Sequence, residues 1–199
     1  MIVCNDLKLC YLHMPKTGGT SVSDALAPHS GVPWTKTNDD KISRSKLHTR
    51  GGQHDTYEEC LAGQFAIKGY TIAASIRSPW SRMVSLFHND IPRKGDESFT
   101  EFVERWYSFP KSIPNAWRRT MSRFIGPSNF KIRFEHMQED MDTLMALVGH
   151  ERVQLPHRNF RGYPAWRTFY NKDTAEQVGG IWSEDVERFG YRFEDNAHE

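Results

Sequence analysis

The sequence predicts an α/β fold, a three-layer sandwich with a central parallel sheet between helices. Residues 8–14 and 70–76 read as strands, and the second is a nearly continuous apolar run of the kind found in a strand buried on both faces. Each run is followed directly by a helical pattern, over residues 20–26 and from Pro79 to His88. Strands that alternate with helices indicate right-handed crossovers and a parallel sheet. Ligands of such sheets bind beyond the carboxyl ends of the strands.

The first strand is expected to stop at Pro15, and the helix that follows has Thr20 or Ser21 available as its N-cap. A polar stretch over residues 28–53 indicates a long surface loop. A further short strand is predicted over residues 130–134. The remaining helical patterns cover residues 57–65, 99–107, 115–125, 135–148 and 173–189.

Length and composition favour one globular domain over residues 1–199. The chain has 199 residues, 38% of them hydrophobic and 26% charged, which is close to the globular average. Lys and Arg number 26 against 25 for Asp and Glu. Because this balance gives no global positive field, we expect no nucleic-acid partner, and any anion site must be local.

The cysteines and the N-terminal segment favour a cytoplasmic protein. Cys4, Cys10 and Cys60 are odd in number and form no CxxC pair, which argues against a disulfide framework and against a zinc finger. The segment shows neither a signal-peptide pattern nor an 18-residue apolar run, so no stable membrane insertion is expected.

The first motif, PKTGGTS at residues 15–21, stands between a predicted strand and a predicted helix; we call it the glycine loop. Backbone N–H groups, the positive end of the helix dipole, the Lys16 ammonium and two hydroxyls would converge there on a phosphate. The nucleoside-triphosphatase loop has the form GxxxxGK[ST], with lysine after the glycines, whereas Lys16 precedes them. The plain alternative is a Gly-Gly turn beside a solvated lysine.

The second motif, RSPWSRMVS at residues 77–85, follows the second predicted strand; we call it the arginine motif. Arg77 offers a planar fork for two parallel hydrogen bonds to phosphate oxygens, and Ser85 lies two helical turns into the next helix. An arginine at a strand end is, taken alone, more often a surface ion-pair partner. Its combination with the glycine loop favours a second phosphate contact.

Together the two motifs resemble the sulfotransferases that use PAPS (3′-phosphoadenosine 5′-phosphosulfate), particularly the carbohydrate-type branch with its bacterial relatives. Residues 134–137, 155–159 and 185–191 resemble the same branch. The resemblance implies a fold like that of the phosphate-loop nucleotide-binding proteins. It also implies PAPS as co-substrate, PAP (3′,5′-adenosine bisphosphate) as product, and no metal ion.

The resemblance assigns roles to particular residues. Arg77 and Ser85 would bind the 3′-phosphate of the donor. Lys16 would also be catalytic, because it neutralises charge on the departing phosphate. The 5′-phosphosulfate would be held by Lys16, Thr17, Gly18, Gly19, Thr20 and Ser21.

His54 is the predicted general base. In the carbohydrate branch a histidine or glutamate in the segment before the second motif takes the acceptor proton, and here that segment contains His54. An imidazole titrates near neutrality, which suits this role. His48, Glu58 and Glu59 are alternatives, and a solvated loop histidine is the plain reading.

The predicted reaction is an in-line displacement at sulfur, with a hydroxyl or amine, expected on a carbohydrate, as acceptor. The alternatives are a phosphate-loop small-molecule kinase or nucleotide hydrolase, and a PAPS- or phosphate-binding module without chemistry. Arg158, Asn159 and Arg161 align loosely as residues that close over a substrate. A sugar-stacking platform is a further hypothesis, though each of its members is more often a core residue: Trp106, Trp117 and Trp166.

Overall fold

The structure, a computed structural model, describes residues 1–30, 54, 56–62, 67–88, 95–110, 115–156, 162 and 164–194. Of this part of the chain, the long predicted loop includes only residues 28–30, and Arg158, Asn159 and Arg161 lie outside it. The described residues form two compact units. The first comprises Met1–Ile76 and Arg123–Phe160, and the second comprises Arg77–Ser122 and Arg161–Glu199.

The first unit contains a four-stranded sheet in the order β1-β2-β3-β4. The strands are β1 (Ile2–Cys4), β2 (Leu9–Leu12), β3 (Thr71–Ile76) and β4 (Phe130–Arg133). Strand β2 pairs in parallel with β3, and β3 pairs in parallel with β4, which confirms the predicted α/β class. Strand β1 pairs antiparallel with β2 and was not predicted, because three apolar residues carry no periodic signal.

The first unit also contains helices, of which the first and the last contribute residues to its core. They are α1 (Gly19–Leu26), α2 (Tyr57–Ala62) and α7 (Met137–Leu147), with single 3-10 turns at Ala27–His29 and Phe134–His136. Val22 and Leu26 of α1, Ala73 and Ile132 of the sheet, and Leu144 of α7 are buried in one apolar cluster. Apolar burial of this kind is the main term that stabilises the sheet and helices together.

The second unit is helical and has its own aromatic core. Its helices are α3 (Pro79–Phe87), α4 (Phe99–Ser108), α5 (Asn115–Arg118), α8 (Lys172–Ile181) and α9 (Ser183–Phe189), with a 3-10 turn at Trp166–Phe169. Of α6 (Met121–Ile125), the first two residues belong to the second unit and the last three to the first. Pro79 occupies the first turn of α3, where its missing N–H costs nothing.

Two helices predicted as continuous are each split in the second half of the chain. The pattern over residues 115–125 is divided into α5 and α6, because the Arg82 side chain binds the carbonyls of Trp117 and Arg119 and the Asp185 carboxylate accepts from the first amides of α6. The pattern over residues 173–189 is divided at Trp182, whose backbone leaves the helical region (φ −121°, ψ 40°).

A third predicted helix, over residues 135–148, begins differently from the prediction. Residues Phe134–His136 form a 3-10 turn, and α7 itself begins at Met137. Tightened first turns of this kind are frequent at helix N-termini.

Candidate functional site

The glycine loop connects β2 to α1 through an unusual backbone. Lys16 has φ 66° and Gly18 has φ 78°, so two residues within three positions adopt the left-handed region. A lysine in this region costs about 1–2 kcal/mol, which the surrounding structure must offset. Turns of this kind direct successive backbone N–H groups toward one point and so form an anion-binding concavity.

The N-cap prediction for α1 was wrong, because the helix begins earlier. Gly18 is the N-cap residue, with no side-chain cap, and α1 begins at Gly19. Thr20 and Ser21 therefore lie inside the first turn, and both are buried. The N-terminus of α1 thus brings its first amides and its positive dipole end directly to the loop.

Both glycines of the loop are required by close packing. A Cβ at Gly18 would lie 2.6 Å from Met137 Sδ and 2.9 Å from a Phe134 ring carbon. A Cβ at Gly19 would overlap the ring of His13, including Nε2 at 2.6 Å. The backbone of the loop is therefore held against side chains on one side, where no larger residue fits.

The remaining loop side chains are placed differently from one another. Thr17 is buried, and its Oγ1 donates to the Met14 carbonyl oxygen at 2.9 Å, so this hydroxyl closes the turn. Lys16 is only half-buried. Of the two, Lys16 is the residue that is partly accessible to solvent.

His54 is held at the strand that leads into the glycine loop. Its Nδ1 lies 2.9 Å from the His13 carbonyl oxygen, and the two imidazoles meet edge to face with centroids 5.1 Å apart. A carbonyl oxygen only accepts hydrogen bonds, so Nδ1 carries the proton. Neutral His54 then has its lone pair on Nε2, the form that a general base needs.

His13 is itself fixed from the other side. Its ring is 4% exposed, and its Nδ1 lies 3.0 Å from the Ser23 hydroxyl in α1. His13 therefore contacts α1 through Ser23, the loop through Gly19 and the predicted base through its own carbonyl group.

Two of the three alternative bases are in the described part of the chain. Glu59 Oε2 accepts from the Thr56 amide at 2.7 Å, while the Glu59 amide donates to Thr56 Oγ1, so this carboxylate serves as the capping box of α2. Glu58 is exposed in the first turn of the same helix. His48 lies outside the described residues.

The arginine motif belongs to the second unit. Arg77, the residue after β3, is 6% exposed; its Nε donates to Ser81 Oγ at 2.5 Å, and its amide donates to Met121 Sδ at 3.3 Å. Ser85 is half-buried in α3. Arg77, Ser81 and Ser85 follow at intervals of four, which places the two serines on one face of the helix.

A second buried arginine organises the segment beside this motif. Arg82 is fully buried, its guanidinium lies 4.5 Å above the Trp182 ring, and it donates to the carbonyls that separate α5 from α6. Burial lowers the pKa of Arg82 to about 10, although the Asp185 charge opposes this. For Asp185, burial raises the pKa, and the two backbone hydrogen bonds that its carboxylate accepts oppose this rise.

The tryptophans do not form an exposed platform. Trp106 and Trp166 are 1% and 3% exposed and lie in the aromatic core of the second unit, and Trp117 packs against that core half-buried. The stacking hypothesis is therefore wrong for Trp106 and Trp166. Trp80 is also buried, and its Nε1 donates to the Ala175 carbonyl.

The described residues contain neither a cluster of metal ligands nor a membrane-spanning helix. No three His, Cys, Asp or Glu side chains in the described ranges are grouped so that they would hold a metal ion. Within the same ranges, no helix has the length and apolarity to cross a bilayer.

These observations define an α/β protein with a candidate anion-binding loop between its second strand and first helix. A model of the sulfotransferase family matches residues 1–192, and the chain belongs to that family. The crystal structure of mouse sulfotransferase SULT7A1 complexed with PAP is similar, with 16% sequence identity and a TM-score of 0.46, over 98% of this chain and 88% of that one. No curated protein matches the sequence.

Sequence reasoning missed His13, Ser23 and Ser81. His13 reads as a polar residue at the end of a strand, and its partners Ser23 and His54 lie 10 and 41 positions away. Ser81 carried a weak signal, because it lies four residues after Arg77, the predicted phosphate-binding arginine, and residues four apart share a helical face.

Proposed function

We propose that this chain transfers a sulfuryl group from PAPS to a hydroxyl or amine of an acceptor, a carbohydrate in the first instance. Membership of the sulfotransferase family supports sulfuryl transfer. The observation that carries the proposal is the glycine loop, with Lys16 and Gly18 in left-handed conformations at the N-terminus of α1. This backbone suits a phosphate, because its N–H donors and the positive end of the α1 dipole are directed toward the same point.

Each predicted residue takes a role in this proposal. Lys16, the amides of Thr17 to Thr20 and the Ser21 hydroxyl bind the 5′-phosphosulfate, and Arg77 with Ser85 binds the 3′-phosphate. The glycine loop follows β2 and Arg77 follows β3, and these strands pair in parallel. Ligands of parallel sheets bind at the carboxyl ends of the strands, which supports the assignment of both motifs to one donor.

The chemistry is a displacement at sulfur. The acceptor oxygen or nitrogen forms a bond to sulfur while the bond from sulfur to the bridging phosphate oxygen breaks, and PAP leaves. His54 Nε2 takes the acceptor proton, and the hydrogen bond from His54 Nδ1 to the His13 carbonyl stabilises the imidazolium that forms. Lys16 and the loop amides stabilise the charge that develops on the departing phosphate.

The proposal also keeps three predictions that accompany this reaction. The chemistry needs no metal ion, the whole chain acts as one sulfotransferase domain, and the protein works in the cytoplasm. The carbohydrate acceptor rests on the branch that the sequence resembles.

Isothermal titration with PAP, 5′-AMP and Mg²⁺-ATP tests the donor. We expect PAP to bind more tightly than 5′-AMP, and Arg77→Ala to remove this preference, since the guanidinium contact to phosphate is worth about tenfold or more. Tighter binding of Mg²⁺-ATP than of PAP would refute the proposal and favour a kinase.

A further inference from the structure

Ser81, which carries no predicted role, holds the Arg77 side chain through a hydrogen bond. Its hydroxyl oxygen accepts from Arg77 Nε at 2.5 Å, and Ser81 is fully buried. A long arginine side chain otherwise loses rotamer freedom when it binds a ligand. A contact that holds Nε before the ligand arrives reduces that cost.

A second contact holds the Arg77 backbone. The Arg77 amide donates to Met121 Sδ at 3.3 Å, and the Arg77 charge is close enough to Tyr170 to oppose the rise in the Tyr170 pKa that burial causes. The Tyr170 hydroxyl in turn donates to the Trp80 carbonyl oxygen at 2.8 Å. Of these contacts, the Ser81 hydrogen bond is the one that reaches the guanidinium itself.

The contacted nitrogen determines how the arginine can be used. Because Nε donates to Ser81, a phosphate held by two parallel hydrogen bonds would be bound through the two Nη groups. Parallel donation from a fork to two phosphate oxygens requires a fixed guanidinium plane. Ser81 also lies between Arg77 and Ser85 at intervals of four, on the face of α3 that carries Ser85.

We propose that Ser81 is a specificity-determining positioning residue: by holding Arg77 Nε, it orients the guanidinium for the 3′-phosphate and so separates PAP from nucleotides that lack this group. This inference rests on the proposed function, because Arg77 must bind that phosphate. It predicts that loss of the Ser81 hydroxyl weakens binding of the 3′-phosphate and leaves binding of the 5′-phosphate unaffected.

The test compares the Kd of PAP with the Kd of 5′-AMP, which lacks the 3′-phosphate, for Ser81→Ala. We expect PAP to bind about tenfold more weakly, since hydrogen bonds to charged groups are worth at least this much, while 5′-AMP binds as before. Ser81→Thr, which keeps the hydroxyl, restores the preference. Ser122→Ala is the matched control, because it removes another buried hydroxyl of the second unit, one that donates to the Glu184 carbonyl.

Four outcomes are decisive. An unchanged PAP preference in Ser81→Ala, or an equal loss for PAP and 5′-AMP, overturns the role of Ser81 while the donor assignment stands. A wild-type protein without PAP preference overturns the donor assignment and the role of Ser81 together. If Ser122→Ala loses as much of the preference for PAP over 5′-AMP as Ser81→Ala does, the role of Ser81 is also overturned. Should Ser81→Ala fail to fold, Ser81→Cys, which has similar size and a weak acceptor, must show the same selective loss.

Discussion

The glycine loop of the first unit and the arginine motif of the second unit fix polar groups in different ways. In the loop, the backbone does this, through left-handed residues, two glycines packed against side chains and the N-terminus of α1. In the arginine motif, buried side chains do it, through the bond from Arg77 to Ser81 and the contacts of Arg82 with Trp182 and two carbonyls. A site built from backbone is sensitive to an added Cβ, whereas one built from side chains is sensitive to the loss of a single polar atom.

The largest expected effect is that of replacing His54, the predicted base, which belongs to the first unit. His54→Ala should lower kcat by about 10²–10⁴, the usual contribution of general acid–base catalysis, with little change in the Kd of PAP. His136→Ala is the control, since His136 is exposed and pairs with Glu139. A kcat within a few fold of wild type would remove His54 from the reaction.

Two substitutions at Lys16 distinguish the effect of the lysine charge from the effect of the left-handed backbone. Lys16→Ala should lower kcat by about 10²–10³ through the loss of a donor aimed at developing charge. Lys16→Gly should show the same loss of rate, although it relieves the left-handed strain and so melts at a higher temperature than Lys16→Ala. Lys8 is the matched control, because it also has positive φ (47°) but lies in the turn between β1 and β2. An equal loss of rate in Lys8→Ala would show that the Lys16 result does not depend on the place of this lysine in the glycine loop.

A pair of glycine substitutions tests the sensitivity to an added Cβ. Gly19→Ala should cost about 1–3 kcal/mol of stability, because the new methyl group overlaps the His13 ring, and it should weaken PAP binding. Gly180 lies inside α8, and a Cβ there would be 3.8 Å from Tyr107, an ordinary contact distance. Gly180→Ala should therefore stabilise the folded protein by about 0.5–1 kcal/mol. Urea denaturation measures both. Equal tolerance of the two substitutions would contradict the packing of the loop.

A substitution at Arg82 tests the second unit, because it keeps the positive charge and removes the planar guanidinium. Arg82→Lys should cost about 1–3 kcal/mol, because one ammonium cannot replace a fork that binds the Trp117 and Arg119 carbonyls above an aromatic ring. Arg152→Lys, at an exposed pair with Asp142, should change stability by less than about 0.5 kcal/mol. If Arg82→Lys were as stable as wild type, charge alone would account for the role of Arg82.

The smallest effect concerns pH and lies in the first unit. Burial and the neighbouring His150, whose ring centroid is 4.5 Å away, lower the pKa of His29, while Asp6 opposes this. The folded protein therefore binds fewer protons than the unfolded chain, so this contribution to stability is full above pH 6.5 and is lost as the pH falls through the folded pKa. Urea midpoints from pH 5 to 8 should rise with pH, and less steeply in His29→Gln. Identical slopes would show that His29 is not responsible.

Local patterns in the sequence predicted much of this architecture. The strands over residues 8–14 and 70–76 and the helix from Pro79 are confirmed within a few residues, because apolar periodicity and proline placement are local signals. The breaks between α5 and α6 and at Trp182 were missed. The break between α5 and α6 depends on Arg82 and Asp185, which contact this segment from far along the chain.

The features of the candidate site also fall into those that the sequence predicted and those that it did not. The glycine loop and the arginine motif were recognisable, since their residue types and neighbours carry the signal. The early N-cap at Gly18 and the contacts of His13 and Ser81 were not, because they depend on backbone angles and on partners that no spacing rule identifies. The roles of Lys16, His54, Arg77 and Ser85 remain predictions of the family resemblance, supported by this geometry.

Transfer of labelled sulfur from PAPS to acceptors tests the central claim most directly. Wild-type protein and Lys16→Ala are incubated with PAPS and a panel of oligosaccharides, simple phenols and primary amines, and both labelled product and released PAP are measured. We predict label in an oligosaccharide with one PAP released per transfer, without added metal ion, and a rate about 10²–10³ lower for Lys16→Ala. Phosphorylation of the same panel by Mg²⁺-ATP, with no transfer from PAPS, would contradict the account.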